Sequence, residues 1–85
     1  MPFVYIVECA DGSLYTGWAV DVERRVKVHN TGRGARYTRL HGPVKLVYAE
    51  EQPDRVAAMK RELEIKRWPR ARKLKLISAQ PSIDH

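Results

Sequence analysis

Residues 3–9, Phe-Val-Tyr-Ile-Val-Glu-Cys, are a nearly continuous run of β-branched and aromatic side chains. Such a run predicts a strand buried on both faces. Ala10-Asp11-Gly12 is a turn, and Ser13 to Trp18 follows as a second strand, so the chain opens with a hairpin. The loop length decides which residues share a face, because side chains alternate along a strand. A two-residue Asp-Gly loop would pair Ala10 with Ser13 and put Tyr5 and Tyr15 on opposite faces. A three-residue loop, with Gly12 in the left-handed region, would pair Cys9 with Ser13. Tyr5 would then face Gly17, and Val7 would face Tyr15. The two phenols become diagonal neighbours on one face, with room over Tyr5 at Gly17. Tyrosines are good strand residues in any protein, so the pair alone does not establish chemistry.

The rest of the chain predicts an α+β domain. Asp21 is an N-cap for a helix over about 22–30, with Glu23 at its positive end. Gly32 and Gly34 end that helix and open a loop to about Gly42-Pro43. Val44 to Glu50 alternates apolar and polar residues as a third strand. A second helix starts near Pro53-Asp54 and runs to about Arg67. A third covers about 69–78, with Pro69 in its first turn. The order is β-β-α-β-α-α, a small and mainly antiparallel sheet flanked by helices. Residues 1–79 make one domain, and 80–85 a disordered tail.

Composition narrows the function classes. With 85 residues there is room for one modest core. One cysteine, Cys9, allows no internal disulfide framework and no CxxC zinc site. No apolar run approaches the roughly 20 residues that span a membrane, and no signal peptide is seen. A cytoplasmic location is the expectation. The formal net charge is +6, and its distribution is more informative. Arg24 to Lys45 holds seven Lys/Arg and no acid, and Lys66 to Lys75 holds six and no acid. Either block alone suits a solvated surface, and both in one small domain suit a polyanion.

Two helices carry ionisable side chains on arcs expected to face the sheet. At about 100° per residue, Val22, Arg25, Val26, Val28 and His29 share one arc of the first helix. Arg25 there needs an anion, either a carboxylate or a bound phosphate. His29 lies one turn beyond it and can approach the same site. In the second helix Val56, Met59 and Leu63 form a stripe, flanked by Ala58 and Ile65. Glu62 lies between these sets and is directed inward, as an ion-pair partner or a metal ligand. Glu64 lies on the solvent side with Lys60. Trp18 and Trp68 suit either the core or base stacking.

In this order and spacing the residues resemble the GIY-YIG nuclease superfamily, over about residues 3–78. The nearest likeness is to its small stand-alone bacterial members, related to the N-terminal domain of the excinuclease subunit. Val4-Tyr5-Ile6 corresponds to the first motif, with Val for Gly. Tyr15-Thr16-Gly17 corresponds to the second, with Thr for Ile. Arg25 lies where the family places its catalytic arginine, His29 matches a histidine one turn later, and Glu62 matches the metal-binding glutamate. The segment from His29 to Thr38 is similar to the loop of the stand-alone group. A late asparagine of several such nucleases has no counterpart.

The resemblance implies a metal-dependent endonuclease acting on DNA phosphodiesters, in repair or recombination, with one Mg²⁺ or Mn²⁺ on Glu62. Tyr5 is the favoured general base, and Tyr15 a second phenol that positions water or phosphate. Arg25 would stabilise phosphoryl charge, and His29 would join the proton network. Arg33, Arg36, Tyr37, Arg39, Lys66, Arg67 and Arg70 are the candidate nucleic-acid contacts. Two alternatives stay open: a binding or docking module with little turnover, and a nuclease that depends on a partner protein for DNA targeting.

Overall fold

The computed structural model describes residues 1–31 and 42–79. Three strands form one antiparallel sheet in the order β2-β1-β3: β1 is Phe3–Cys9, β2 Leu14–Ala19 and β3 Val44–Glu51. The helices are α1 (Val22–Asn30), α2 (Arg55–Lys66) and α3 (Arg70–Ala79). The element order is β-β-α-β-α-α, an α+β fold.

β1 is the central strand, and Val4, Tyr5, Ile6, Val7 and Cys9 are all buried. Its even residues build one core and its odd residues another. Val4 and Ile6 pack with Tyr48, Ala58 and Ile65, joined by Trp18, Trp68, Leu76 and Ile77. Tyr5, Val7 and Cys9 pack with Ala19 and Val44, joined by Val22 and Val26. Helix α1 therefore covers one face of the sheet, and α2 and α3 cover the other. Both tryptophans are partly buried and packed against the core.

The hairpin closes through the three-residue loop. Gly12 has φ +86°, and the Cys9 amide donates to the Ser13 carbonyl at 2.8 Å. Tyr5 is paired with Gly17 and Val7 with Tyr15. β3 departs from simple alternation. Ile6 pairs with Tyr48 and Val7 with Leu46, so Val47 is an extra residue opposite that step. The bulge sends Tyr48 to the α2 side although Leu46 belongs to the α1 side.

Caps set the helix starts. The Asp21 side chain accepts from the Arg24 amide at 3.1 Å, and Asp54 from the Ala57 amide at 2.8 Å. The expected glycine stop after α1 lies outside the described residues. The helix already ends at Thr31, whose amide bonds back to the Lys27 and Val28 carbonyls. Residues 33–41 of the expected basic loop, with His41, and the tail 80–85 also lie outside the described residues.

One expected face is corrected. Val56, Met59 and Leu63 do not meet the sheet; they are 60%, 49% and 53% exposed. Ala58 and Ile65 make the contact instead, both fully buried. The physical reason is closeness. Ala58 lets the helix backbone approach the strands, and Ile65 fills the space two turns on. The exposed stripe lies about 100–160° further round the helix. Glu62, about 40° from Ala58, remains on the sheet side.

Candidate active site

Tyr5 and His29 meet between β1 and α1. Tyr5 Oη and His29 Nε2 share a buried hydrogen bond of 2.8 Å. Tyr5 is 1% exposed and His29 3%. The close approach depends on Gly17. A Cβ there would lie 2.5 Å from Tyr5 Oη and 2.7 Å from Cζ, so a larger residue would displace the phenol. Tyr15, two residues back on the same face of β2, is half-buried. Its ring stands edge-on to His29 with centroids 5.5 Å apart.

Arg25 keeps its place on the valine arc, between Val28 and His29, but its side chain is exposed rather than buried. It flanks the buried line of α1 and has no ion-pair partner among the described residues. Its charge nevertheless reaches Tyr5, Tyr15 and His29. Glu62 approaches from α2, which packs against the edge strand β2. The Glu62 carboxylate acts on both phenols. Its side chain is 17% exposed and takes Lys66 Nζ at 3.7 Å. Lys66 in turn stands 5.6 Å from the centroid of the Tyr15 ring. Glu64, on the solvent side as expected, pairs along the helix with Arg61.

The environment sets the protonation states. Burial pushes the Tyr5 phenol far above its ordinary value; negative charge at Tyr15 adds to this, Arg25 opposes it and Glu62 adds further. Burial also raises Tyr15, with Glu62 adding and Arg25 opposing. His29 is lowered, by burial first and by Arg25 second. At neutral pH the three rings are therefore uncharged, between an exposed guanidinium and a largely shielded carboxylate.

A family model for the GIY-YIG catalytic domain matches residues 1–75.

The chain belongs to the GIY-YIG family.

Its relatives include UPF0213 proteins of similar length. One from Staphylococcus saprophyticus is 55% identical over 76 residues, covering 89% of this chain and 93% of that protein. One from Staphylococcus aureus is 57% identical over 75 residues, covering 88% and 92%. The solution NMR structure of a UPF0213 protein from Bacillus halodurans matches with a TM-score of 0.61 at 45% identity, covering 98% of this chain and 89% of that one. An Enterococcus faecalis protein, also solved by NMR, matches with a TM-score of 0.59 at 36% identity, covering 98% and 92%.

In GIY-YIG terms, the two motifs are partners across one strand pair. The tyrosine of the first lies over the glycine of the second. Glu62 suits a hard divalent ion that keeps most of its waters, since it is an oxygen donor with solvent on one side. Three sets of contacts in this region were not distinguished in the sequence. Lys66, expected among the nucleic-acid contacts, stands against Glu62 and Tyr15; its i+4 spacing from Glu62 was the available signal. The Asn30 side chain bonds both backbone groups of Val44, at 2.6 and 3.1 Å, tying α1 to β3. Glu50 takes Arg61 Nε at 2.9 Å and Tyr48 Oη at 2.5 Å, a polar tie between β3 and α2 with no sequence signal. Of the expected nucleic-acid contacts, Arg67 and Arg70 are exposed at the α2–α3 junction, while Arg33, Arg36, Tyr37 and Arg39 lie outside the described residues.

Proposed function

We propose that this domain is an endonuclease that hydrolyses DNA phosphodiester bonds with one divalent ion, Mg²⁺ or Mn²⁺, bound at Glu62. The observation that carries the reading is the hydrogen-bonded Tyr5–His29 pair, with Tyr15 beside it and the charges of Arg25 and Glu62 acting on both phenols. The bound ion would supply Lewis-acid polarisation of the phosphoryl group or of a water.

The chain's own residues divide the remaining work. A phenol held far above its ordinary pKa cannot act as a free phenolate at neutral pH. Tyr5 can still take a proton from water if it passes its own to His29 Nε2 in the same step. A neutral His29 is required for that, and burial and Arg25 both keep it neutral. Tyr15, half-buried beside the pair, orients the water or the phosphate. Arg25, exposed and unpaired among the described residues, meets the phosphoryl oxygens and stabilises their developing charge. Arg67, Arg70 and the basic residues of α3 hold the backbone on either side.

The test is a panel of single-stranded, duplex and branched DNA, incubated with Mg²⁺ or Mn²⁺ beside Arg25→Ala and Glu62→Gln. Metal-dependent cleavage is expected, reduced about 100- to 1,000-fold in Arg25→Ala and abolished in folded Glu62→Gln. Preference for branched DNA would point to repair or recombination. Salt-dependent binding of all three DNAs with no cleavage under either metal would favour a binding module instead.

A further inference from the structure

Lys66 ends α2 beside two groups of the proposed site. Its Nζ is 3.7 Å from Glu62 Oε2 and 5.6 Å from the centroid of the Tyr15 ring. The lysine side chain is 42% exposed and the glutamate 17%, so the ammonium has the freer path to solvent. A lysine ammonium is a compact, hydrated point charge on a flexible stem. On Glu62 it provides the same kind of charge at the same carboxylate as a divalent ion would. Lys66 also heads the acid-free run to Lys75, where an incoming polyanion is attracted. Arg61, on the other flank of α2, has no such freedom. It is committed to Glu50 and Glu64, with its guanidinium 5.1 Å from the Trp68 ring centroid.

We propose that Lys66 is an internal competitor for the divalent ion: it holds Glu62 in the free protein and transfers to a nucleic-acid phosphate on binding. This rests on the reading of Glu62 as the ion's ligand. Ion and nucleic acid then bind with positive coupling. Each removes a cost the other would meet, and the coupling is reciprocal. Lys66 is a positioning residue here, since it acts through Glu62.

Mn²⁺ binding to the full chain is measured by calorimetry at constant ionic strength for the wild type, Lys66→Met, Lys66→Arg, Lys60→Met and Glu62→Gln. Lys60 is exposed on the same helix with no ion pair among the described residues, and controls for net charge. Lys66→Met should bind Mn²⁺ about fivefold more tightly than wild type, with Lys66→Arg and Lys60→Met changed by less than about twofold. Equal affinity in Lys66→Met and wild type, or an equal gain in Lys60→Met, overturns the proposal. Glu62→Gln separates it from the reading beneath. Wild-type Mn²⁺ affinity in Glu62→Gln sinks the ion site itself. Lost binding there, with Lys66→Met unchanged, sinks the Lys66 role alone. The second readout is the Glu62 carboxyl-carbon NMR resonance, in chelator and low salt. Saturating oligothymidine should move it to its position in Lys66→Met; an unmoved resonance, or no oligothymidine binding, overturns the transfer.

Discussion

Thr16 is 2% exposed, and its hydroxyl has no hydrogen-bond partner among the described residues. It faces the α2 side of the sheet, opposite Ile6, where a hydroxyl costs desolvation without return. Thr16→Val should therefore raise stability by about 1–2 kcal/mol, read as a shift in the denaturation midpoint with unchanged slope. Gly17→Ala, one residue on, should do the opposite. Its Cβ would meet the buried Tyr5 ring, at a cost of about 1–3 kcal/mol, and the Tyr5–His29 bond should be lost. Loss of that bond is visible in the His29 ring resonances. Wild-type His29 resonances in folded Gly17→Ala would contradict this account.

The arrangement of α2 decides which substitutions matter within that element. Ile65 is fully buried and Leu63 is 53% exposed. Ile65→Ala should cost about 2–5 kcal/mol in urea unfolding, and Leu63→Ala at most about 0.5 kcal/mol. The hydrophobic pattern shows an amphipathic helix but does not choose between two apolar arcs. The choice is made by how closely the helix backbone can approach the strands, and Ala58 supplies that approach. Helix α1 illustrates a different gap. Asp21 and the valines mark its start and its inner line, whereas its attachment to β3 runs through Asn30. Asn30→Ala leaves both Val44 backbone groups without that partner and should cost about 1–3 kcal/mol.

For the molecule as a whole, pH and salt are the relevant variables. The folded His29 has a lowered pKa, so the unfolded chain takes up its proton first as pH falls. Stability from this group is full above about pH 6.5 and declines below it, toward the folded pKa. Arg25→Ala removes part of the lowering and should shrink that acid loss, measured as midpoint against pH. Tyr48, pushed up to about 12 by burial and its bond to Glu50, has the opposite sense, as do Tyr5 and Tyr15. Their unfolded phenols ionise first, so stability falls as pH rises above about 10. With a net charge of +6, DNA affinity should fall linearly in log–log form with salt. The slope is about −0.9 per phosphate neutralised for duplex and about −0.7 for single strands. A flat response would remove the electrostatic basis of binding.

Strand alternation and the Ala10-Asp11-Gly12 turn reduced the hairpin to two registers, because hairpin register is a local property. The three-residue loop of the structure selects the one that pairs Tyr5 with Gly17 and sets Tyr15 on the same face. The helix starts at Asp21 and Asp54 were legible for the same reason, since a cap is satisfied within one turn. The family was legible in the spacing of Tyr5, Tyr15, Arg25, His29 and Glu62. Contacts between distant elements were not. The bulge at Val47, the exposure of Arg25, the outward stripe of α2, the Glu50–Arg61 tie and the place of Lys66 beside Tyr15 each depend on how separate elements pack. Local sequence restricts the rotation of each element about its axis, and only the shared core fixes it.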